Sequence, residues 1–298
     1  MPKIKPVITN ETVVYDYRNA TGIIQTGLTN DMLFHIVMNK SKRALKGLIC
    51  ALKRLNPEDV RDVAILNPID YGNYISKEVV LDVRVELNNY EIMDIELQLY
   101  HDPNWDKRSV LYLCRAFDTI GEGEDYSLLK PTTLIIITER GFITNPGEPE
   151  FYSKNMLLNV RNHRVYSSLL SVNVLYLDQT ELATKEDYEY DLVHWAKVFK
   201  ATTWEELNAL VKGNAALEEV ANIMYKSNII PEEQTLIEGH KRFLAQKRGA
   251  YEAGILKGRE EEKERTEKII AEKDAAITEK DKEIAALKEE LEKLKKQS

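Results

Sequence analysis

Residues 90–100 read Y-E-I-M-D-I-E-L-Q-L-Y. Odd positions carry Met93, Ile95, Leu97 and Leu99, and even positions carry Asp94, Glu96 and Gln98. Side chains alternate across a β-strand, so this pattern predicts a strand with one apolar and one acidic face. Just upstream, V-V-L-D-V-R-V-E-L (79–87) alternates in the same way, and Asn88-Asn89 is a turn signal between the two runs. Pairing them as a hairpin must bring the two apolar sets together, because a one-residue slip turns one set to water. The shortest loop that does so, 88–90, sets Leu87 opposite Glu91, Arg84 opposite Asp94 and Asp82 opposite Glu96. Arg84 with Asp94 is an ordinary cross-strand ion pair. Asp82 with Glu96 opposes two carboxylates, which on an open sheet costs a few tenths to about 1 kcal/mol. A proton, a neighbouring cation or a bound metal would offset that cost. The other reading is a solvated acidic face with a relaxed register. Spacing alone leaves both open.

The wider composition narrows the classes. The chain has 298 residues, 43% hydrophobic and 30% charged, with net charge −8. It can bury a core of one or two domains, and it is no basic coat for nucleic acid; any such contact must be local. The two cysteines, Cys50 and Cys114, are too few for a disulfide framework or a metal motif and read as buried, reduced thiols. The start, M-P-K-I-K-P-V-I-T-N, has no apolar leader, and no run approaches the roughly 18 apolar residues that span a bilayer. A cytoplasmic protein without membrane contact is expected.

Residues 1–28 look irregular. Thr29 or Asn30 then caps a helix with Asp31 in its first turn, and the helical reading continues until Asn56-Pro57. W-D-K-R-S-V-L-Y-L-C-R-A-F (105–117) predicts a helix with Val110, Leu113, Cys114 and Phe117 on its apolar stripe. T-T-L-I-I-I-T (132–138) reads as a strand buried on both faces, and V-N-V-L-Y-L (172–177) as a later one. Helices follow: one around Trp195, Val198 and Phe199, one opened by a Thr203/Glu206 capping box, and others over 214–227 and 231–258. In the tail, Ile270, Ile277, Ile284 and Leu291 recur every seven residues with Leu287 and Leu294 between them. That combination favours a parallel two-stranded coiled coil, weakened by Lys273 and Lys280 on the same seam. Four segments result: an N-terminal extension 1–28, an α/β domain 29–180, a helical region 181–258 and a coiled coil 259–298.

Taken in order, T-N-D-M-L-F-H-I-V (29–37), D-V-R-V (82–85), I-E-L-Q (95–98), K-R-S-V-L-Y (107–112) and G-E-G-E-D-Y-S-L-L-K-P (121–131), followed by the buried Ile run, resemble the recombination-promoting nucleases. These are also labelled PD-(D/E)XK nuclease family transposases. The resemblance covers roughly residues 28–180. It implies a restriction-endonuclease-like α/β core, a mixed central sheet flanked by helices, and Mg²⁺-dependent cleavage of DNA, with Mn²⁺ as an alternative ion. By the family pattern Asp82 and Glu96 are metal ligands, the Leu97 carbonyl adds a third oxygen, and Asp31 contributes through water. The place where most relatives of the wider superfamily carry a catalytic Lys is Gln98 here, so Lys107 or Arg108 is expected to supply the missing positive charge. The partners implied are DNA and, through the tail, a second copy of the chain. The competing reading is a catalytically weak or inactive DNA-binding module that retains the fold.

Overall fold

Asn88 and Asn89 both adopt the left-handed backbone, with φ 54° each, and the Tyr90 N–H donates to Leu87 O at 3.0 Å. Asparagine tolerates this region better than most residues, and two such residues in succession are the signature of a type I′ turn, whose twist suits a hairpin. The turn joins β4 (Val83–Leu87) to β5 (Glu91–Gln98) in the expected register, with Leu87 opposite Glu91 and Arg84 opposite Asp94. The computed structural model describes residues 7–9, 12–14, 16–67, 83–143 and 147–297. The expected Asp82–Glu96 pair therefore lies outside the described residues.

Before this hairpin come β1 (Val7–Thr9), β2 (Thr12–Val14), α1 (Asp31–Lys40), α2 (Lys42–Lys53) and β3 (Val63–Ile65). After it come α3 (Trp105–Phe117), β6 (Thr132–Thr138), β7 (Tyr152–Leu158) and β8 (Val165–Tyr176). The main sheet has six strands in the order β3-β4-β5-β6-β8-β7. Strands β5, β6 and β8 run parallel and the other neighbours antiparallel, so the sheet is mixed as expected. Two of its strands escape sequence reading: β3 has only three residues, and β7 (Y-S-K-N-M-L-L) lacks alternation.

The acidic face of β5 is not wet. Its odd residues Met93, Ile95 and Leu97 join the main core with Val83, Val85, Ile135 and Ile137, beneath α1 and α2. Its even residues face the opposite layer, where α3 covers a smaller core of Trp105, Leu113, Leu134, Ile136, Val174 and Tyr176. The cause is topological. Parallel strands β5 and β6 cannot be joined by a tight turn, so α3 crosses over and buries the second face. The stripe on α3 is also rotated from the expected one: Trp105, Ser109, Leu113 and Ala116 are buried, while Val110 and Cys114 are exposed. Ser109 and Ala116 are small enough for close approach, and Trp105 supplies the bulk. Cys114 is thus a surface thiol, contrary to the buried reading, whereas Cys50 is buried.

The first long helix divides at Ser41. Its N–H still donates to Val37 O, ending α1, while its hydroxyl accepts from Ala44 N, starting α2. Asn30 caps α1 through Leu33 N. The described residues of the N-terminal segment are more regular than expected: β1 and β2 pair antiparallel, and Tyr17, Ala20, Ile24 and Leu28 enter the main core.

The remaining elements are α4 (Lys185–Glu189), α5 (Leu192–Lys200), α6 (Trp204–Val211), α7 (Ala215–Ser227) and α8 (Pro231–Gln297). Thr203 caps α6 through Glu206 N, but the Glu206 carboxylate accepts from Thr202 N rather than from Thr203. The full reciprocal box is at Thr184 and Asp187, opening α4. Residues of α5, α6 and α7 share the main core with the sheet. The chain divides into two compact units, Met1–Ile237 and Glu238–Ser298, so the first unit spans the changes of character expected near residues 28 and 180. In the second unit Ile270, Ile277, Ile284, Leu287 and Leu291 are all exposed. Among the described residues no helix is long and apolar enough to cross a membrane.

Candidate functional site

The even residues of β5 form a buried polar row: Asp94 is 2% exposed, Glu96 6% and Gln98 0%. Each is engaged differently. Arg84, on the neighbouring strand, donates from Nη2 to Asp94 Oδ2 at 2.6 Å, the cross-strand pair read from the register. Glu96 and Gln98 are held together by one side chain from α3. Arg108 Nη2 donates to Glu96 Oε1 at 3.0 Å and to Gln98 Oε1 at 2.8 Å, while Nη1 donates to Asp102 Oδ2 at 2.7 Å. Arginine is suited to this task because its rigid fork can address several oxygens at fixed angles.

Local sequence explains why Arg108 points here. Asp102 accepts from Asn104 N at 2.9 Å, which fixes the entry to α3. Trp105, Arg108 and Tyr112 are spaced by three and four residues, so they share one side of that helix. The guanidinium lies 4.5 Å from the Trp105 ring centre and 5.6 Å from that of Tyr112. Two aromatic faces thus steady the cation through cation–π attraction. Gln98 is fixed at both ends as well. Its Nε2 donates to Tyr100 O, and its backbone carbonyl accepts from Thr138 Oγ1 on β6, each at 2.5 Å.

The charges are unequal. Two carboxylates, Glu96 and Asp102, share one guanidinium. Burial by itself would lower the pKa of Arg108, but hydrogen bonding with Tyr100 and the negative charge of Glu96 outweigh it and hold the group above its ordinary value. Arg108 therefore remains a cation at any working pH. Asp94 Oδ1 is buried with no hydrogen-bond partner among the described residues.

The structure brings three expected site residues together: Glu96, Gln98 and Arg108. Leu97 lies between the first two and buries its side chain in the main core, leaving its backbone as its polar contribution. Lys107 is exposed beside Arg108 on α3. Asp31 stands in the first turn of α1, in the layer covering the other face of the sheet. Asp82 lies outside the described residues. Among those that are described, no group of three or more acidic, His or Cys side chains forms a metal cluster. The donors at hand are nonetheless oxygens: a buried carboxylate, an amide oxygen and a main-chain carbonyl, with net negative charge around them. That set fits a hard divalent cation such as Mg²⁺, which takes one or two carboxylates and completes its shell with water and phosphate.

Sequence reading missed Asp102, Trp105 and Tyr112 as members of the site. The signal was present in D-P-N-W-D-K-R-S-V-L-Y (102–112), where Trp105 and Tyr112 flank Arg108 at helical spacing. His35 is not part of the site. It is fully buried in α1, and burial lowers its pKa to about 4, so it is a neutral core residue paired with Asn39.

A family model described as PD-(D/E)XK nuclease family transposase covers residues 28–253, three-quarters of the chain and well past the stretch that carried the sequence resemblance. No curated protein and no solved structure matches.

Proposed function

Because the chain belongs to the PD-(D/E)XK nuclease family transposases, with a nuclease- and recombination-linked role, we propose that it hydrolyses DNA phosphodiester bonds with Mg²⁺, or Mn²⁺, as cofactor. The observation that carries this reading is the buried Glu96–Arg108–Gln98 cluster on the central strand. Burying a carboxylate and a guanidinium costs several kcal/mol per ion before pairing, a cost that a merely structural face avoids with apolar residues.

In this reading Asp82, Glu96 and the Leu97 carbonyl would hold the cation, while Asp31, in the helical layer on the other face of the sheet, is left out of the set. When bound, the ion would supply an activated water and a polarised phosphate oxygen. The chain's own groups do the rest. Gln98, anchored by Tyr100 and Arg108, orients the attacking water by hydrogen bonding and contributes no charge. Arg108 turns from Glu96 toward the scissile phosphate and balances charge that develops there. Trp105 and Tyr112 limit how far it can stray. Lys107, exposed on the same helix, meets the DNA backbone. The tail seam of α8 pairs two copies in parallel, and the unpaired thiols are in keeping with a cytoplasmic protein.

The test is nicking of supercoiled plasmid by the full chain with Mg²⁺, Mn²⁺, Ca²⁺ or EDTA. Nicking is expected with Mg²⁺ and Mn²⁺, and loss of at least about a hundredfold for Glu96→Gln. Equal cutting by the wild type and an Asp82→Ala, Glu96→Ala double variant would refute the assignment. A second reading has a specific observation behind it. Gln98 replaces a charged residue, and Arg108 is already shared by Glu96 and Asp102. A non-catalytic DNA-binding module therefore predicts binding without variant-sensitive products in the same assay.

A further inference from the structure

The last two strands of the sheet do not end where the sheet ends. β6 pairs with β8 only from Leu170 to Tyr176, yet β8 begins at Val165 and β7 follows it outward to Leu158. Among the described residues the outer part is a two-stranded ribbon without a third strand. It projects about 16 Å past the sheet at roughly 3.3 Å per residue. Register irregularities at Met156/Leu157 and Leu157/Leu158 mark its base, where such features increase twist. The tip, 159–164, is internally braced: Asn159 N donates to Arg164 O at 2.9 Å and His163 N to Asn159 O at 2.8 Å. His163 takes the left-handed backbone, φ 56°.

The composition of this arm departs from that of the chain. Residues 152–177 contain no Asp or Glu, in a protein with 49 of them and net charge −8. They contain Lys154, Arg161, His163 and Arg164. All four are exposed, and none has an ion-pair partner among the described residues. Val160, 88% exposed, precedes Arg161, and Tyr166, 80% exposed, lies two residues after Arg164. A lone two-stranded ribbon gains nothing in stability by displaying these groups to water. Acid-free basic charge with an adjoining exposed aromatic is the complement of a phosphate-lined groove.

We propose that the β7–β8 arm is a DNA-contacting element that inserts into a groove of duplex DNA, with Arg161 and Arg164 on phosphates and Tyr166 on the sugar–base wall. A two-stranded ribbon fits the roughly 12 Å width of the major groove. The choice of DNA rests on the nuclease reading above. Placement adds a distance. Glu96 pairs with Ile136, which pairs with Val174, so these three lie in one row across the sheet. Nine residues separate Val174 from Val165, about 30 Å of strand. The arm therefore grips duplex nearly one helical turn, roughly nine base pairs, from the Glu96 site.

The test measures binding of a labelled duplex of about 30 base pairs, roughly three helical turns, by fluorescence anisotropy in EDTA, where no cutting occurs. The full-length chain is compared with Arg161→Ala, Arg164→Ala, Tyr166→Ala as a triple variant, and with Arg161→Glu, Arg164→Glu. A Lys257→Ala, Lys263→Ala variant, altered at two exposed positions on α8, serves as control, and circular dichroism checks folding. The triple variant is expected to lose at least about tenfold in affinity. Its salt dependence should flatten by about two units of log K per log salt, since each phosphate contact contributes about 0.9. The glutamate pair should lose more, and the control nothing. Unchanged affinity and salt slope in both arm variants would overturn the proposal even if the plasmid is nicked normally. So would an arm variant that changes the sedimentation coefficient but not DNA affinity, which would make the arm a contact between copies. Loss of binding in the arm variants, with no plasmid nicking by the wild type, would uphold the arm and reject the nuclease reading.

Discussion

Replacing Arg108 with methionine removes the cation shared by Glu96 and Asp102 while keeping an unbranched chain against Trp105. Removing one partner of a fully buried ion pair costs about 3–5 kcal/mol, because the other charge is left without compensation. Here the Arg108 side chain is 25% exposed and that of Glu96 8%, so water recovers part of the loss. A destabilisation of about 2–3 kcal/mol is expected. With a urea m-value of about 3 kcal/mol/M, suited to a chain at the upper end of the usual range, the midpoint falls by somewhat under 1 M. Glu96→Gln alone leaves Arg108 with Asp102 and Gln98 and should cost about 1 kcal/mol. The decisive measurement is the double-mutant cycle. Arg108→Met in the Glu96→Gln background no longer strands a charge on Glu96, so the two effects should be non-additive by about 2 kcal/mol. Additivity within about 0.5 kcal/mol would show the two side chains to be energetically independent. It would also remove the physical basis for treating them as one site.

Three other outcomes follow from particular residues. His35 has a folded-state pKa of about 4 against an ordinary 6.5, so between those values the unfolded chain binds a proton that the folded chain refuses. Its contribution is intact above about pH 6.5 and is lost as pH falls toward 4, by about 3 kcal/mol in all. Urea midpoints across this window should fall more steeply for the wild type than for His35→Gln, and parallel curves would sink the assignment. A methyl group on Gly47 would lie 2.5 Å from Ala216 Cβ and 3.3 Å from Trp195 Cζ2. Gly47→Ala should therefore destabilise by about 1–3 kcal/mol at the α2–α7 contact, although the same change in an open helix gains nearly 1 kcal/mol; a raised unfolding midpoint would contradict this. Finally, Ile277→Lys with Ile284→Lys on the exposed seam of α8 should convert a dimer to a monomer in sedimentation velocity, and an unchanged mass would dismiss the coiled coil.

What could be read directly was local. Alternation in 83–87 and 91–98, with Asn88-Asn89 between, determined the hairpin, its register and the Arg84–Asp94 pair, because a two-residue period and a short loop leave one pairing that keeps the apolar sets together. The seven-residue Ile/Thr/Leu run of β6 and the Thr203 cap were equally plain, and the cap of α1 was narrowed to Thr29 or Asn30, since each depends on neighbours a few residues away. The sequence order of short motifs also carried the family, which the match over 28–253 extends.

Tertiary structure decided what depends on distant segments meeting. Periodicity showed that β5 has a polar face but not that the face is buried. That follows from β5 and β6 being parallel, which forces α3 across it. The same crossover chose Trp105 and Ser109 rather than Val110 and Cys114 for the inside of α3, because fit against the sheet outweighs hydrophobicity alone. It also carried Arg108 to within 3.0 Å of both Glu96 and Gln98, twelve and ten residues earlier in the chain. Strand register raised Glu96 and the family resemblance added Gln98 and Arg108, one at a time; only the packing of helix on sheet makes them a single charged cluster with a geometry.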